Sequence, residues 1–143
     1  MKEKRLTAPQ VREVLARIHF AIHLGVRLAA LHRDGLTLVC SVRKELLNSA
    51  EVLHGGVNAT LADAAAGVAI HYLLGSHRPI TTIEMKINYF RPVSSGRIFA
   101  RAHVQRMGAT ICVARVDLTD DRRKLIGAAL VTYMILGHRG GAS

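Results

Sequence analysis

The stretch NSAEVLHGGVNATLADAAAGVAIHY, residues 48–72, decides how this chain is to be read. A His54-Gly55-Gly56 turn leads into a run where Ala59, Leu61, Ala62, Ala64, Ala65, Ala66, Val68, Ala69 and Ile70 leave no polar face. A helix that is apolar all round is wrapped by other structure on nearly every side. Two glycines ahead of it leave backbone N–H groups free at its positive end, where an anion or a developing oxyanion can sit. The run carries one acid, Asp63. A carboxylate there is costly unless it is paired or useful, so Asp63 is either half of a buried ion pair or a chemical group.

Outward from this run the periodicities change. Thr7-Ala8-Pro9-Gln10 has the form of a helix start, with Thr7 as cap, Pro9 in the first turn and Gln10 at the capping-box position. Val11, Val14, Leu15, Ile18 and Ile22 then recur at helical spacing, which predicts one amphipathic helix ending near Gly25. His19 and His23 stand four apart on it, but no third metal ligand is near. Residues 26–31 and 36–42 flank Arg33-Asp34-Gly35, a hairpin signal. Downstream, Ile83, Met85, Ile87 and Tyr89 alternate with Thr82, Glu84, Lys86 and Asn88, a half-buried strand. Residues 98–104, 110–118 and 125–136 continue in strand patterns, with a polar turn at Asp120–Arg123. Short turns between long strands predict an antiparallel meander. The expected architecture is α+β: a curved antiparallel sheet around one long central helix, with an extra N-terminal helix over residues 1–25 and a flexible tail over 137–143. Residues 1–143 are expected to form one domain.

Twenty Lys and Arg against ten Asp and Glu give a formal charge of +10, which favours anionic partners, whether nucleic acid, a membrane surface or a phosphate-bearing small molecule. Three Phe, three Tyr and no Trp, with no aromatic-studded basic strand, argue against nucleic acid. No uninterrupted apolar run reaches the roughly 18 residues of a membrane span. The N-terminus lacks an apolar signal core, so a cytoplasmic location without membrane partners is expected. Cys40 and Cys112 fall in apolar stretches and are expected to be buried free thiols.

Asn48, His54-Gly55-Gly56 six residues on, Leu61-Ala62-Asp63, and then the run Thr82 to Val93, TIEMKINYFRPV, together resemble the hotdog-fold thioesterases of the PaaI-like, phenylacetyl-CoA type. The resemblance covers roughly residues 36–136. It implies hydrolysis of acyl-CoA thioesters with neither metal nor organic cofactor. It makes Asp63 the general base or nucleophile, Gly55 the carbonyl-polarising N–H, and Asn48 and His54 the groups that position thioester or water. Thr82 falls where relatives place a hydroxyl that helps orient the attacking water. The implied assembly is a homodimer with shared active sites, often doubled to a homotetramer.

Spacing alone supports the sharing. Gly55 and Asp63 are eight residues apart, about 12 Å along a helix at 1.5 Å per residue, too far to touch one carbonyl. A second copy packed antiparallel brings its Gly55 beside Asp63. Coenzyme A is polyphosphorylated, and Arg91, Arg106, Arg122, Arg123 and Lys124, near strand ends, are candidates to meet its phosphates. Structural roles compete at each position: a helix cap for His54, a loop cap for Asn48, an ordinary strand residue for Thr82 and plain surface charge for the basic side chains. The competing function is a hotdog module that binds acyl-CoA without hydrolysing it. Asp63 speaks against that, because binding alone needs no carboxylate there.

Overall fold

A computed structural model describes residues 4–137 of the chain. The N-terminal region is α1 (Ala8–Ala16) followed by α2 (His19–His23). The capping box forms: the Thr7 N–H donates to Gln10 Oε1 at 2.8 Å, and the Gln10 N–H donates to Thr7 Oγ1 at 3.4 Å. Where the spacing predicts one helix to Gly25 there are two, because Ile18 takes a non-helical ψ of 85°. The break rotates the second segment so that Ala21 and Leu24 are buried, while Phe20 and Ile22 turn outward. Periodicity misplaced Ile22 because it carried one helical phase across that break.

Strands β1 (Arg27–His32) and β2 (Gly35–Ser41) form the expected hairpin. A short 3-10 turn at Lys44–Leu46 leads to the long helix α3 (Gly55–Leu74), and then to β3 (Ile80–Tyr89), β4 (Arg97–Met107), β5 (Ile111–Thr119) and β6 (Leu125–Ile135). All pairings are antiparallel, in the order β1-β2-β4-β5-β6-β3. The simple meander expected from the turns holds only for β4-β5-β6. Strand β3 lies at the far edge, beside β6, because the 20-residue α3, about 30 Å long at 1.5 Å per residue, carries the chain across the sheet before β3 begins.

Helix α3 is buried as its composition demands: Leu61, Ala62, Ala65, Ala66, Val68 and Ala69 have no exposed surface. One side rests on β2, β4 and β5, and Val11, Val14 and Leu15 of α1 join the same core from the other. By length and composition α3 could cross a membrane, yet most of it is interior to the fold. It ends at Gly75, whose φ of +69° is left-handed and where a Cβ would strike the Lys4 carbonyl. Cys40 and Cys112 are buried free thiols, as expected. The tail beyond residue 137 lies outside the described residues.

Strand β3 departs from strict alternation. Thr82 pairs with Tyr133 but Glu84 pairs with Thr132, so Ile83 is an extra residue. The bulge turns Ile83 outward, 50% exposed, and leaves Thr82, Met85 and Ile87 on the inner side. Alternation alone placed Ile83 with Met85 and put Thr82 opposite them; the bulge exchanges Ile83 and Thr82.

On the outer face Asp34 accepts from Arg101 Nη2 at 2.6 Å and from His103 Nδ1 at 2.9 Å. The bond from Arg101, then that from His103, holds the Asp34 carboxyl far below the usual carboxylate range. A depressed folded pKa adds stability above the unfolded value of about 3.9 and loses it as pH falls below that value. Asp34→Asn is therefore expected to lower the thermal midpoint at pH 7, with the gap between mutant and wild type narrowing steadily as pH falls below about 4 in a thermal-unfolding series.

Candidate active site

Asp63 sits at mid-length on α3, half-buried, facing the strand pair β3/β6. The Thr82 hydroxyl donates to its Oδ1 at 2.7 Å. The Tyr133 hydroxyl lies 2.7 Å from the same Oδ1 and 2.8 Å from the Asp63 carbonyl oxygen, so its proton serves both acceptors. Oδ2 has no partner among the described residues. Burial, and then the adjacent Asp63 charge, push the Tyr133 phenol well above its ordinary range and keep it a proton donor. The carboxylate is thus clamped through one oxygen.

Tyr133 escaped the sequence reading. It occupies an inward position of β6, between Val131 and Ile135, where an apolar ring was sufficient explanation. Its contact with Asp63 follows from the Thr82–Tyr133 pairing, which no local pattern reveals. Gly67 makes the approach possible. A Cβ at that position would lie 2.7 Å from the Tyr133 hydroxyl oxygen.

At the N-terminus of α3, His54 is the helix cap: its Nδ1 accepts from the Gly56 N–H at 2.8 Å, which places its proton on Nε2. The Gly55 N–H finds no acceptor among the described residues, so it is the donor left over in the first turn. The Tyr89 ring packs over Gly55, and its hydroxyl donates to the Gly55 carbonyl at 3.1 Å. Asn48 closes its own loop: its Oδ1 accepts from the N–H groups of Ala50 (2.9 Å) and Val52 (3.3 Å). Its amide NH2 has no acceptor among the described residues. The capping roles weighed for His54 and Asn48 are both present, and each side chain still keeps a donor.

These residues do not converge within one chain. Asp63, Thr82 and Tyr133 line a cavity of about 640 Å³. Asn48, Gly55, Tyr89 and Arg91 line a separate groove of about 300 Å³. Asn58 also lines the groove; its side chain is buried and its Oδ1 has no partner among the described residues. Of the basic candidates, only Arg91 lines either hollow named here. Arg122, Arg123 and Lys124 lie in the exposed β5–β6 turn, at the end of the sheet where Phe90 and Arg91 bond to Ile126. Arg106 lies towards the opposite end, paired with Val113.

A six-stranded antiparallel sheet wrapped on a long helix defines a hotdog protein, and this one carries a clamped carboxylate at mid-helix and a free N–H at the helix start. A sequence model of the thioesterase superfamily matches residues 50–126, and the chain belongs to that family. The chain is 28% identical over 151 aligned positions to the medium/long-chain acyl-CoA thioesterase YigI of Escherichia coli, covering 91% of this chain and 97% of that protein. The fold matches a thioesterase structure from Haemophilus influenzae over the whole of both chains, with a TM-score of 0.87 and 24% identity. It also matches a mutant of the phenylacetic acid degradation protein PaaI from Thermus thermophilus, with a TM-score of 0.74 and 26% identity over 82% of this chain and 99% of that one. The chain is accordingly a thioesterase.

Gly67→Ala is expected to cost about 1–3 kcal/mol in urea denaturation, as an overpacked contact does. The cost is expected to shrink when Tyr133→Phe removes the hydroxyl. Strictly additive costs in that double-mutant cycle would show that the hydroxyl is not what excludes the extra methyl group.

Proposed function

We propose that the chain hydrolyses acyl-CoA thioesters at sites shared between two copies, Asp63 of one copy acting opposite the Gly55 N–H of the other. The observation that carries this reading is the division of the site: the carboxylate and the free first-turn N–H lie on one helix but open into different hollows. Strand β3 supports pairing. It is a ten-residue edge strand that carries exposed Ile83 and Tyr89, with exposed Phe90 just beyond its end, and an unpaired edge of that length is a template for a second copy.

In the composite site the thioester carbonyl accepts from the Gly55 N–H, which holds the negative charge as the tetrahedral intermediate forms. Oδ2 of Asp63 either takes a proton from the attacking water or attacks the carbonyl itself, giving an anhydride that water then opens. Either route consumes one water and releases the free acid and the thiol. Thr82 and Tyr133 aim the free oxygen by fixing the other. The Asn48 amide and the His54 Nε2–H are donors available to the thioester or the water, and Arg91 with the β5–β6 turn offers positive charge to the coenzyme A phosphates.

Asp63→Asn is expected to lower kcat by at least about a hundredfold while leaving the circular dichroism spectrum unchanged. Co-expressing Asp63→Ala with a His54→Ala, Gly55→Pro chain is expected to restore about a quarter of wild-type activity, since half of the mixed population is hybrid and each hybrid has one intact site. No recovery from hybrids that do form, or a monomeric mass by light scattering of an active enzyme, would sink the shared site.

A further inference from the structure

The 640 Å³ cavity that holds Asp63 continues along one face of α3, past Ala64 and Gly67 to His71. From Asp63 to His71 is eight residues, about 12 Å of helix. Along that length the helix wall is only the Ala64 methyl group and the backbone of Gly67, against which the Tyr133 hydroxyl packs. The cavity's other walls are Pro79, Ile80 and Thr81 leading into β3, and Val14, Ile18 and Phe20 from α1, the break and α2. The polar residues Arg17, Thr60, His77 and Arg78 also line it. Phe20 is 59% exposed, an aromatic ring turned out of the core by the helix break at Ile18.

We propose that this channel is the acyl-chain site, holding a linear hydrocarbon of roughly eight to ten carbons between Asp63 and His71, with Phe20 closing over it and setting the preferred length. This rests on the thioesterase reading of Asp63. The length follows from the advance of an extended chain, about 1.2 Å per bond when three backbone bonds span about 3.5 Å. The occupant is a hydrocarbon because Ala64, Gly67, Val14, Ile18, Phe20, Pro79 and Ile80 make most of the wall apolar, and because the His71 ring on the helix wall is spent: its Nε2 donates to the Arg78 carbonyl at 2.7 Å. Burial also lowers the pKa of His71, so the ring is neutral at physiological pH. An exposed Phe beside an apolar channel is a surface that a chain would cover, and the N-terminal helices thereby acquire a specificity role.

The test is a series of straight-chain acyl-CoAs from acetyl to palmitoyl, assayed by thiol release on the full chain, with Phe20→Ala and Thr81→Trp. Both substituted side chains are exposed, so folding is expected to survive. In the wild type, kcat/KM is expected to climb by roughly threefold to fourfold per methylene and to level off near ten carbons. Phe20→Ala is expected to cut the decanoyl-to-acetyl ratio of kcat/KM at least about tenfold, mainly through KM, and Thr81→Trp is expected to move the optimum to shorter chains. A wild type that hydrolyses acyl-CoA with the same ratio as both variants overturns the channel and leaves the enzymatic reading standing. Should the wild type hydrolyse none of them, titration calorimetry with the non-hydrolysable thioethers S-decyl-CoA and S-ethyl-CoA decides separately. A decyl preference lost in Phe20→Ala upholds the channel and overturns the catalytic reading, and equal affinities overturn both.

Discussion

A carboxylate on a helix that has no polar face has to be held by something other than its own helix, and the clamp on Asp63 is the constraint from which much of this structure follows. The two hydroxyls that hold it come from residues directly opposite each other on neighbouring strands, Thr82 and Tyr133. They reach it because the bulge at Ile83 keeps Thr82 on the inner side of the sheet, and because Gly67, one turn along α3, has no side chain to hold Tyr133 away. Both donors meet the same carboxylate oxygen. Hydrogen bonds of this kind offset the cost of taking a carboxylate partly out of water.

The other end of the site depends on how first-turn donors are divided. His54 satisfies the Gly56 N–H, Tyr89 ties down the Gly55 carbonyl, and the Gly55 N–H remains. A preorganised donor at the positive end of a 20-residue helix needs no rearrangement to receive an oxyanion. Separation along a rigid helix keeps this donor and the carboxylate apart, and the proposed pairing of two copies is what would bring them to one substrate. The long edge strand β3 lies between the two hollows, contributing Thr82 to one and Tyr89 to the other.

Much of the fold was legible because its signals are local. The Arg33-Asp34 turn, the capping box at Thr7 and Gln10 and the polar turn at Asp120–Arg123 are each set by a few neighbouring residues. Where a reading carried a period across an interruption it failed, at Ile18 and again at Ile83, since neither a ψ of 85° nor a bulge leaves a signature in side-chain polarity. The place of β3 was invisible for a different reason: strand order is set by where α3 delivers the chain, and turn lengths report only neighbours in sequence. Of the candidate site, Asp63, Gly55, Asn48 and His54 stood out by motif, whereas Tyr133 and Phe20 look like ordinary hydrophobic residues until the strands pair and the helix breaks.

The 48–72 stretch, read alone, determined that a helix apolar on every side would lie at the centre, that its start would present free N–H groups, and that its one acid would need a reason to be there. Composition and spacing suffice for those statements because they concern how one segment meets its solvent. Which groups would hold Asp63, and which hollows the carboxylate and the Gly55 N–H would open into, were decided only by tertiary structure. Each depends on residues distant in sequence meeting at a few ångströms, and hydrogen bonds of that kind are fixed by register, bulges and the absence of a single Cβ at Gly67.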